Sequence, residues 1–275
     1  MTETQLADRP TEAPVPTTTR STALPSALRH GLTLAWRNLM KLKHSPEQFI
    51  DVTLQPIIFI LLFVFVFGGA VSSSWHDYLP FVLPGILAQT IVFATMTTGT
   101  NLNTDITKGI FDRFRSLPIA RSAPLIGSIL GDIGRFVVTI VVVLGFGSAL
   151  GFRIKTDPGQ AIAACLLIIG FAVAVCWITV FIGLLAKTPG MVTGLSLIFM
   201  FPLTFGSNVF TEASTMPGWL QAWVKVNPIT GLTDSVRGLM LGGPVATPVW
   251  HTIAWAFGIV AVFAPLALRA YRRRA

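Results

Sequence analysis

Long, uninterrupted apolar runs are the feature that most constrains the fold of this chain. About 20 consecutive apolar residues are enough to cross the hydrocarbon core of a bilayer as a helix, which satisfies its own backbone hydrogen bonds. The first run has only aliphatic and aromatic side chains between Ile57 and Phe67. Charged residues make up 12% of the chain, about half of the roughly 25% usual in soluble domains. These features favour a helical membrane protein.

The spacing of the runs predicts an all-α membrane domain of six transmembrane helices over residues 23–275. The predicted spans are 49–71, 78–100, 123–150, 160–186, 191–210 and 248–270. Residues 1–22, rich in Thr, Pro and Glu, predict a disordered cytoplasmic tail. An interfacial helix is predicted from Pro25 to about Met40. Residues 211–243 predict two short external helices before the last span, separated at Asn227-Pro228.

The distribution of Lys and Arg predicts the orientation of these spans. If both termini share one side, fifteen Lys and Arg residues lie on that side and four on the other, with Arg135 inside the membrane. The positive-inside rule then places both termini in the cytoplasm and the protein in the cell (inner) membrane. The net charge of +8 is therefore explained by topology, and we expect no nucleic-acid partner.

The segment Asp105–Ile119 is the one strongly charged stretch between two apolar runs. Its apolar residues recur at helical spacing, and Pro118 ends the pattern. The pattern predicts a short amphipathic helix at the membrane surface, in contact with lipid headgroups or a soluble partner. The alternative is an ordinary charged loop that anchors the topology.

Two charges lie inside the predicted third span. Asp132 and Arg135 are three residues apart, close enough to pair on one helix face. Intramembrane charges are costly and are commonly paired or functional. One interpretation is a structural ion pair close to the cytoplasmic surface. The other is that the pair couples the charged segment to a transport path.

Motifs for catalysis and for nucleotide or metal binding are missing from the sequence. There is no G-x-x-x-x-G-K-[ST] loop, no H-E-x-x-H and no paired-cysteine pattern. We therefore expect no catalytic residue, no metal site and no cofactor in this chain. An enzyme is correspondingly a weak hypothesis.

The residues Phe114-Arg115-Ser116-Leu117-Pro118, followed by Arg121-Ser122-Ala123-Pro124, resemble the coupling-helix region of type-2 ATP-binding-cassette exporter permeases. The resemblance covers the chain from about Leu24 onward, and it is to the daunorubicin/doxorubicin-resistance permeases of actinobacteria in particular. It implies a homodimer of half-transporters with two copies of a separate ATPase, which holds the ATP and Mg. It also implies that the ATPase contacts Asp105, Lys108, Ile110, Phe111, Asp112, Arg113, Phe114, Arg115, Leu117 and Pro118.

The small number of fixed charges in the spans suggests an amphipathic substrate held by apolar and aromatic walls. The candidate wall residues are Gln89, Phe93, Met96, Phe199, Phe201 and Phe205. For each of them, packing or lipid contact is the alternative. The predicted function is ATP-driven export of a drug or natural product. A lipid or polysaccharide exporter on the same fold, and an ATP-independent channel or membrane scaffold, are the competing hypotheses.

Overall fold

The computed structural model describes residues 46–109 and 123–274, and all regular elements in those two ranges are helical. The first span is built from α1 (Pro46–Leu61), a π-helix (Leu62–Phe67) and α2 (Gly68–Val71) in unbroken succession. The other helices are α3 (Trp75–Thr107), α4 (Ala123–Ala149), α5 (Pro158–Leu185), α6 (Pro189–Phe205), a 3-10 turn (Ala213–Thr215), α7 (Gly218–Val226), α8 (Pro228–Leu241) and α9 (Ala246–Arg274).

Within the described ranges, five helical segments are long and apolar enough to cross a bilayer. They confirm the predicted first, second, third, fourth and sixth spans. Helix α6, at the place of the predicted fifth span, has 17 residues, a length of about 26 Å against the roughly 30 Å of a bilayer core. It begins after Thr188, whose side chain accepts a hydrogen bond from the Met191 amide, and ends at Gly206. The count of six spans stays a prediction.

Helix α3 is the centre of the bundle. Its apolar residues lie on every face, and most of its side chains are buried inside the bundle. It packs against α1, α4, α5, α6 and α8. Pro80 and Pro84 lie near its beginning, where the Ser74 side chain accepts a hydrogen bond from the Asp77 amide. Among the described helices of ten or more residues, α9 is therefore the one that does not pack against α3.

The interface between α3 and α5 is closely packed and hydrogen-bonded. A Cβ atom on Gly183 would lie 2.5 Å from the Gly99 carbonyl oxygen, so only glycine allows this approach of the two backbones. The Asn103 side-chain amide donates to the carbonyls of Gly183 and Ala186 at 2.9 and 2.8 Å. One turn away, the Thr179 hydroxyl donates to the Thr95 carbonyl at 2.9 Å.

The two short helices predicted before the last span are present as α7 and α8, and we call their end of the bundle the capped end. Helix α7 exposes Trp219 and Trp223, as an interfacial helix would. Helix α8 is buried and packs against α3, α5 and α9. Asn227 joins the two helices to α6, because its side-chain amide donates to the carbonyls of Leu203 and Gly206 at 2.7 and 3.0 Å.

The opposite end of the bundle differs from the prediction at one helix boundary. Helix α3 continues to Thr107, beyond the predicted end of the second span near residue 100, because Leu102 and Asn103 are still buried against the bundle. Asp105 therefore belongs to the last turn of α3. The chain then turns at Gly109, which has a φ of 68°. The predicted tail 1–22, the interfacial helix 25–40 and residues 110–119 of the charged segment lie outside the described residues.

Candidate functional site

A groove of about 420 Å³ runs along the face of α3 that points away from α5. Its walls come from α1, α3, α4 and α6, and its residues are Gln55, Pro56, Phe59, Thr90, Phe93, Ala94, Met96, Thr97, Thr100, Arg135, Thr139, Thr193, Leu197, Phe201 and Phe205. Within the described chain, α1 and α6 do not pack against each other. The groove is therefore open along the gap between these two helices.

The two walls of the groove differ in chemistry. The wall on the α6 side is aromatic and aliphatic, with Phe93 and Met96 of α3 facing Leu197, Phe201 and Phe205. The opposite wall carries most of the polar side chains, Gln55, Thr90, Thr97, Arg135 and Thr139, beside Pro56, Phe59 and Ala94. A volume of 420 Å³ lies in the range of drug-sized ligand sites, about 300–1,000 Å³. The arrangement suits a molecule with one apolar and one polar side.

Four of the six predicted wall residues line this groove, namely Phe93, Met96, Phe201 and Phe205. Phe199 does not line it. Its side chain is 58% exposed on another face of α6, because residues two apart on a helix point in nearly opposite directions.

Gln89 is the sixth predicted wall residue, and it does not line the groove itself. It lies on the α3 face of Phe93 and Met96, one turn closer to the capped end. It is 1% exposed, and neither polar atom of its side chain has a hydrogen-bond partner among the described residues.

The predicted ion pair is formed, and its arginine belongs to the polar wall. Arg135 Nη2 lies 3.4 Å from Asp132 Oδ1 and donates to the Ala94 carbonyl of α3 at 2.6 Å. The second carboxylate oxygen of Asp132 accepts a hydrogen bond from the Thr98 hydroxyl at 2.5 Å. Both charges therefore turn towards α3, and Arg135 also faces the groove.

A continuous series of aromatic rings joins the first span to α6 where the groove meets the capped end. Phe59 stacks on Phe63, Phe63 on Phe210 at a centroid distance of 4.0 Å, Phe210 on Phe205, and Phe205 on Phe201 at 4.2 Å. Phe63 belongs to the π-helix, a local deformation that is frequent at functional sites. These rings cover the groove on that side.

Buried polar groups hold Phe210 in place. The Tyr78 hydroxyl donates to the Phe210 carbonyl at 2.7 Å. Arg237 of α8 donates to the carbonyls of Phe81 and Asn208 and pairs with Asp234 at 3.0 Å. Burial lowers the pKa of Arg237, and the neighbouring charge of Asp234 acts to raise it.

The charged segment is described only at its beginning. Asp105 and Lys108 are exposed at the end of the bundle opposite the capped end. The other predicted coupling residues, Ile110, Phe111, Asp112, Arg113, Phe114, Arg115, Leu117 and Pro118, lie outside the described residues. Their role stays a prediction.

Several groove residues were missed by reasoning from the sequence. Gln55 and Phe59 of α1 are four residues apart. On α6, every fourth residue from Thr193 to Phe205 lines the groove, namely Thr193, Leu197, Phe201 and Phe205. That spacing marks one helix face and was available from the sequence. The sequence gives no sign that these two faces meet across α3, because that depends on how three helices pack.

The fold is that of a helical membrane protein with five candidate spans among its described residues. A family model described as ABC-2 type transporter matches residues 30–241, and the chain belongs to that family. It is 44% identical over 255 residues to the daunorubicin resistance ABC transporter permease protein DrrB1 of Streptomyces coeruleorubidus, covering 93% of this chain and 89% of the relative. It is 30% identical over 228 residues to the probable doxorubicin resistance ABC transporter permease protein DrrC of Mycobacterium tuberculosis, covering 82% and 81%.

Proposed function

We propose that this chain is the permease subunit of an exporter that moves an amphipathic drug or natural product out of the cell. The observation that carries the proposal is the groove, with an aromatic wall facing a polar wall in a volume suited to a drug-sized molecule. The relatives named for daunorubicin and doxorubicin resistance support an anthracycline as the first substrate to test.

The groove of one chain supplies only part of an enclosed path, because it is open between α1 and α6. We propose that a second copy of the chain closes it and that the path lies between the two copies. Exposed apolar side chains flank the opening, with Leu54 and Ile58 on α1 and Ile198 on α6. A symmetric dimer would bury the same faces on both subunits.

The energy source in this proposal is a separate ATPase, present in two copies, that binds ATP and Mg and contacts the segment Asp105–Ile119. The segment follows directly from α3, and α3 forms the floor of the groove. A force applied at Lys108 would therefore reach the groove through one continuous helix. In this proposal both termini and the charged segment are cytoplasmic, and the capped end faces outwards.

The proposal is tested by expressing the chain together with a candidate ATP-binding-cassette ATPase subunit and purifying the complex. We expect the two proteins to co-purify and daunorubicin to stimulate ATP hydrolysis. Stimulation by lipids or glycans in place of the drug would favour a lipid or polysaccharide exporter. Failure of an intact permease to bind the ATPase would favour a channel or scaffold.

The coupling role has its own test. Phe114→Ala or Arg115→Ala should raise drug accumulation in cells while the amount of permease in the membrane stays the same. Arg153→Ala, an exposed arginine that would lie on the outer side, is the matched control. Unchanged efflux in both coupling variants would contradict the coupling role.

A further inference from the structure

The polar wall of the groove contains one charged group among its described residues, the guanidinium of Arg135. The residue is 9% exposed, and its Nε has no hydrogen-bond partner within the described chain. Asp132 does not line the groove. Its two carboxylate oxygens are engaged, one by Arg135 and the other by Thr98. The groove therefore presents a charged donor to a ligand, whereas the matching acceptor is turned away from it.

Three threonine hydroxyls of the groove donate within the protein itself. The hydroxyls of Thr100 and Thr139 donate to carbonyls one turn back, those of Met96 and Arg135, at 3.0 Å each. The hydroxyl of Thr193 donates to the Pro189 carbonyl at 3.4 Å. A guanidinium has five N–H groups in a fixed planar fork, so Arg135 retains donors after its contacts with Ala94 and Asp132.

The aromatic wall lies across the groove from this donor. Phe201 and Phe205 stack at a centroid distance of 4.2 Å, and Phe93 lies on the same side. A flat apolar ring system resting on these side chains would direct its edge substituents towards Arg135. A carbonyl or carboxylate oxygen there would accept a charge-assisted hydrogen bond, which is stronger than a bond between neutral groups.

We propose that Arg135 binds an acceptor oxygen of the transported molecule. The groove would then select flat aromatic substrates that carry carbonyl, quinone or carboxylate oxygens over flat aromatic molecules that lack them. Asp132 has a positioning role, because it neutralises Arg135 and fixes its direction. This inference rests on the proposed function, and it names the substrate class at the same groove.

The test is a binding measurement on the permease–ATPase complex in lipid nanodiscs with two fluorescent probes. Doxorubicin is a flat aromatic molecule with quinone and hydroxyl oxygens and a protonated amine, and ethidium is a flat aromatic cation without oxygen. The two probes therefore share a positive charge and differ in their acceptor oxygens. The main variant is the double substitution Asp132→Asn and Arg135→Met, which leaves no unpaired charge. Arg135→Lys keeps the charge and the partner but removes the fork. Arg153→Met, in an exposed loop, is the matched control.

We expect the double variant to raise the Kd for doxorubicin about tenfold or more, as for a lost hydrogen bond to a charged group. The Kd for ethidium should change less than twofold. Arg135→Lys should raise the doxorubicin Kd severalfold, and this variant retains the ion pair if the double variant fails to fold. Arg153→Met should leave both values unchanged.

Two results would overturn the inference while the exporter proposal stands. One is wild-type binding of doxorubicin that the Arg135 variants do not weaken. The other is an equal loss of binding for both probes, which would assign Arg135 a purely structural role. A wild-type complex that binds neither probe and shows no drug-stimulated ATP hydrolysis would contradict the proposed function itself.

Discussion

The two sides of α3 are built in opposite ways. Towards α5, glycine at positions 99 and 183 brings the backbones together, and Asn103 and Thr179 hydrogen-bond across the interface. Towards α1 and α6, large side chains such as Phe93 border an open groove. Small residues with satisfied polar groups make a firm helix contact in a membrane. A groove that a substrate must enter and leave requires a gap between the helices, bordered by side chains that the protein does not cover. One helix thus joins a rigid support to a surface suited to binding.

The largest expected effect on stability comes from the Asp132–Arg135 ion pair, which lies between the two sides of α3, where α4 packs against this helix. Asp132→Ala leaves Arg135 without its carboxylate, and breaking a buried ion pair in this way costs about 3–5 kcal/mol. We expect a large fall in the melting temperature of the purified permease. The double variant Asp132→Ala, Arg135→Met should recover most of it, because both charges are removed together. No recovery in the double variant would mean that the pair is not the reason for the loss.

The side of α3 that packs against α5 should show the next largest effect on stability. A Cβ on Gly99 meets the Thr179 carbonyl oxygen, so Gly99→Ala forces the two helices apart at an expected cost of about 1–3 kcal/mol. Gly170→Ala is the matched control on α5, because its Cβ would have no atom within 4 Å. Thermal unfolding of the two variants measures the difference. Equal melting temperatures would contradict close packing between α3 and α5.

The groove side should show the smallest effect on stability and a clear effect on transport. Phe201 is 52% exposed, so Phe201→Ala should change the unfolding free energy by less than about 1 kcal/mol. Loss of an aromatic contact worth about 1 kcal/mol should lower drug affinity roughly five- to tenfold. Phe199→Ala, on another face of α6, should leave transport unchanged. Drug uptake into inverted membrane vesicles distinguishes the two variants.

Much of this fold could be predicted from the sequence, because the length and apolarity of a span are local properties. The predicted break at Asn227-Pro228 is confirmed, since proline ends α7 and allows α8 to begin. The end of the second span was placed too early. The charged segment that begins at Asp105 suggested an exit from the bundle, but Asn103, just before it, is buried through hydrogen bonds to α5. The partners of a polar residue in another helix are not visible in its own segment.

The groove was partly predictable for a related reason. The aromatic residues of α3 and α6 stand out in the sequence, and four of the six predicted wall residues line the groove. Phe199 does not line this groove, because Phe199 and Phe201 cannot share a helix face. Arg135 was recognised as one half of an ion pair. Its position in the wall became apparent only once α4 was packed against α3.

The central claim is that the substrate occupies the groove between α1 and α6. The most direct test is thiol labelling of Phe201→Cys in a variant without Cys165 and Cys176, in the presence and absence of daunorubicin. The proposal predicts that the drug slows labelling at position 201 and has no effect on Phe199→Cys, two residues away on another face of the helix. Equal labelling rates at position 201 with and without the drug, under conditions in which the drug stimulates ATP hydrolysis, would contradict the claim.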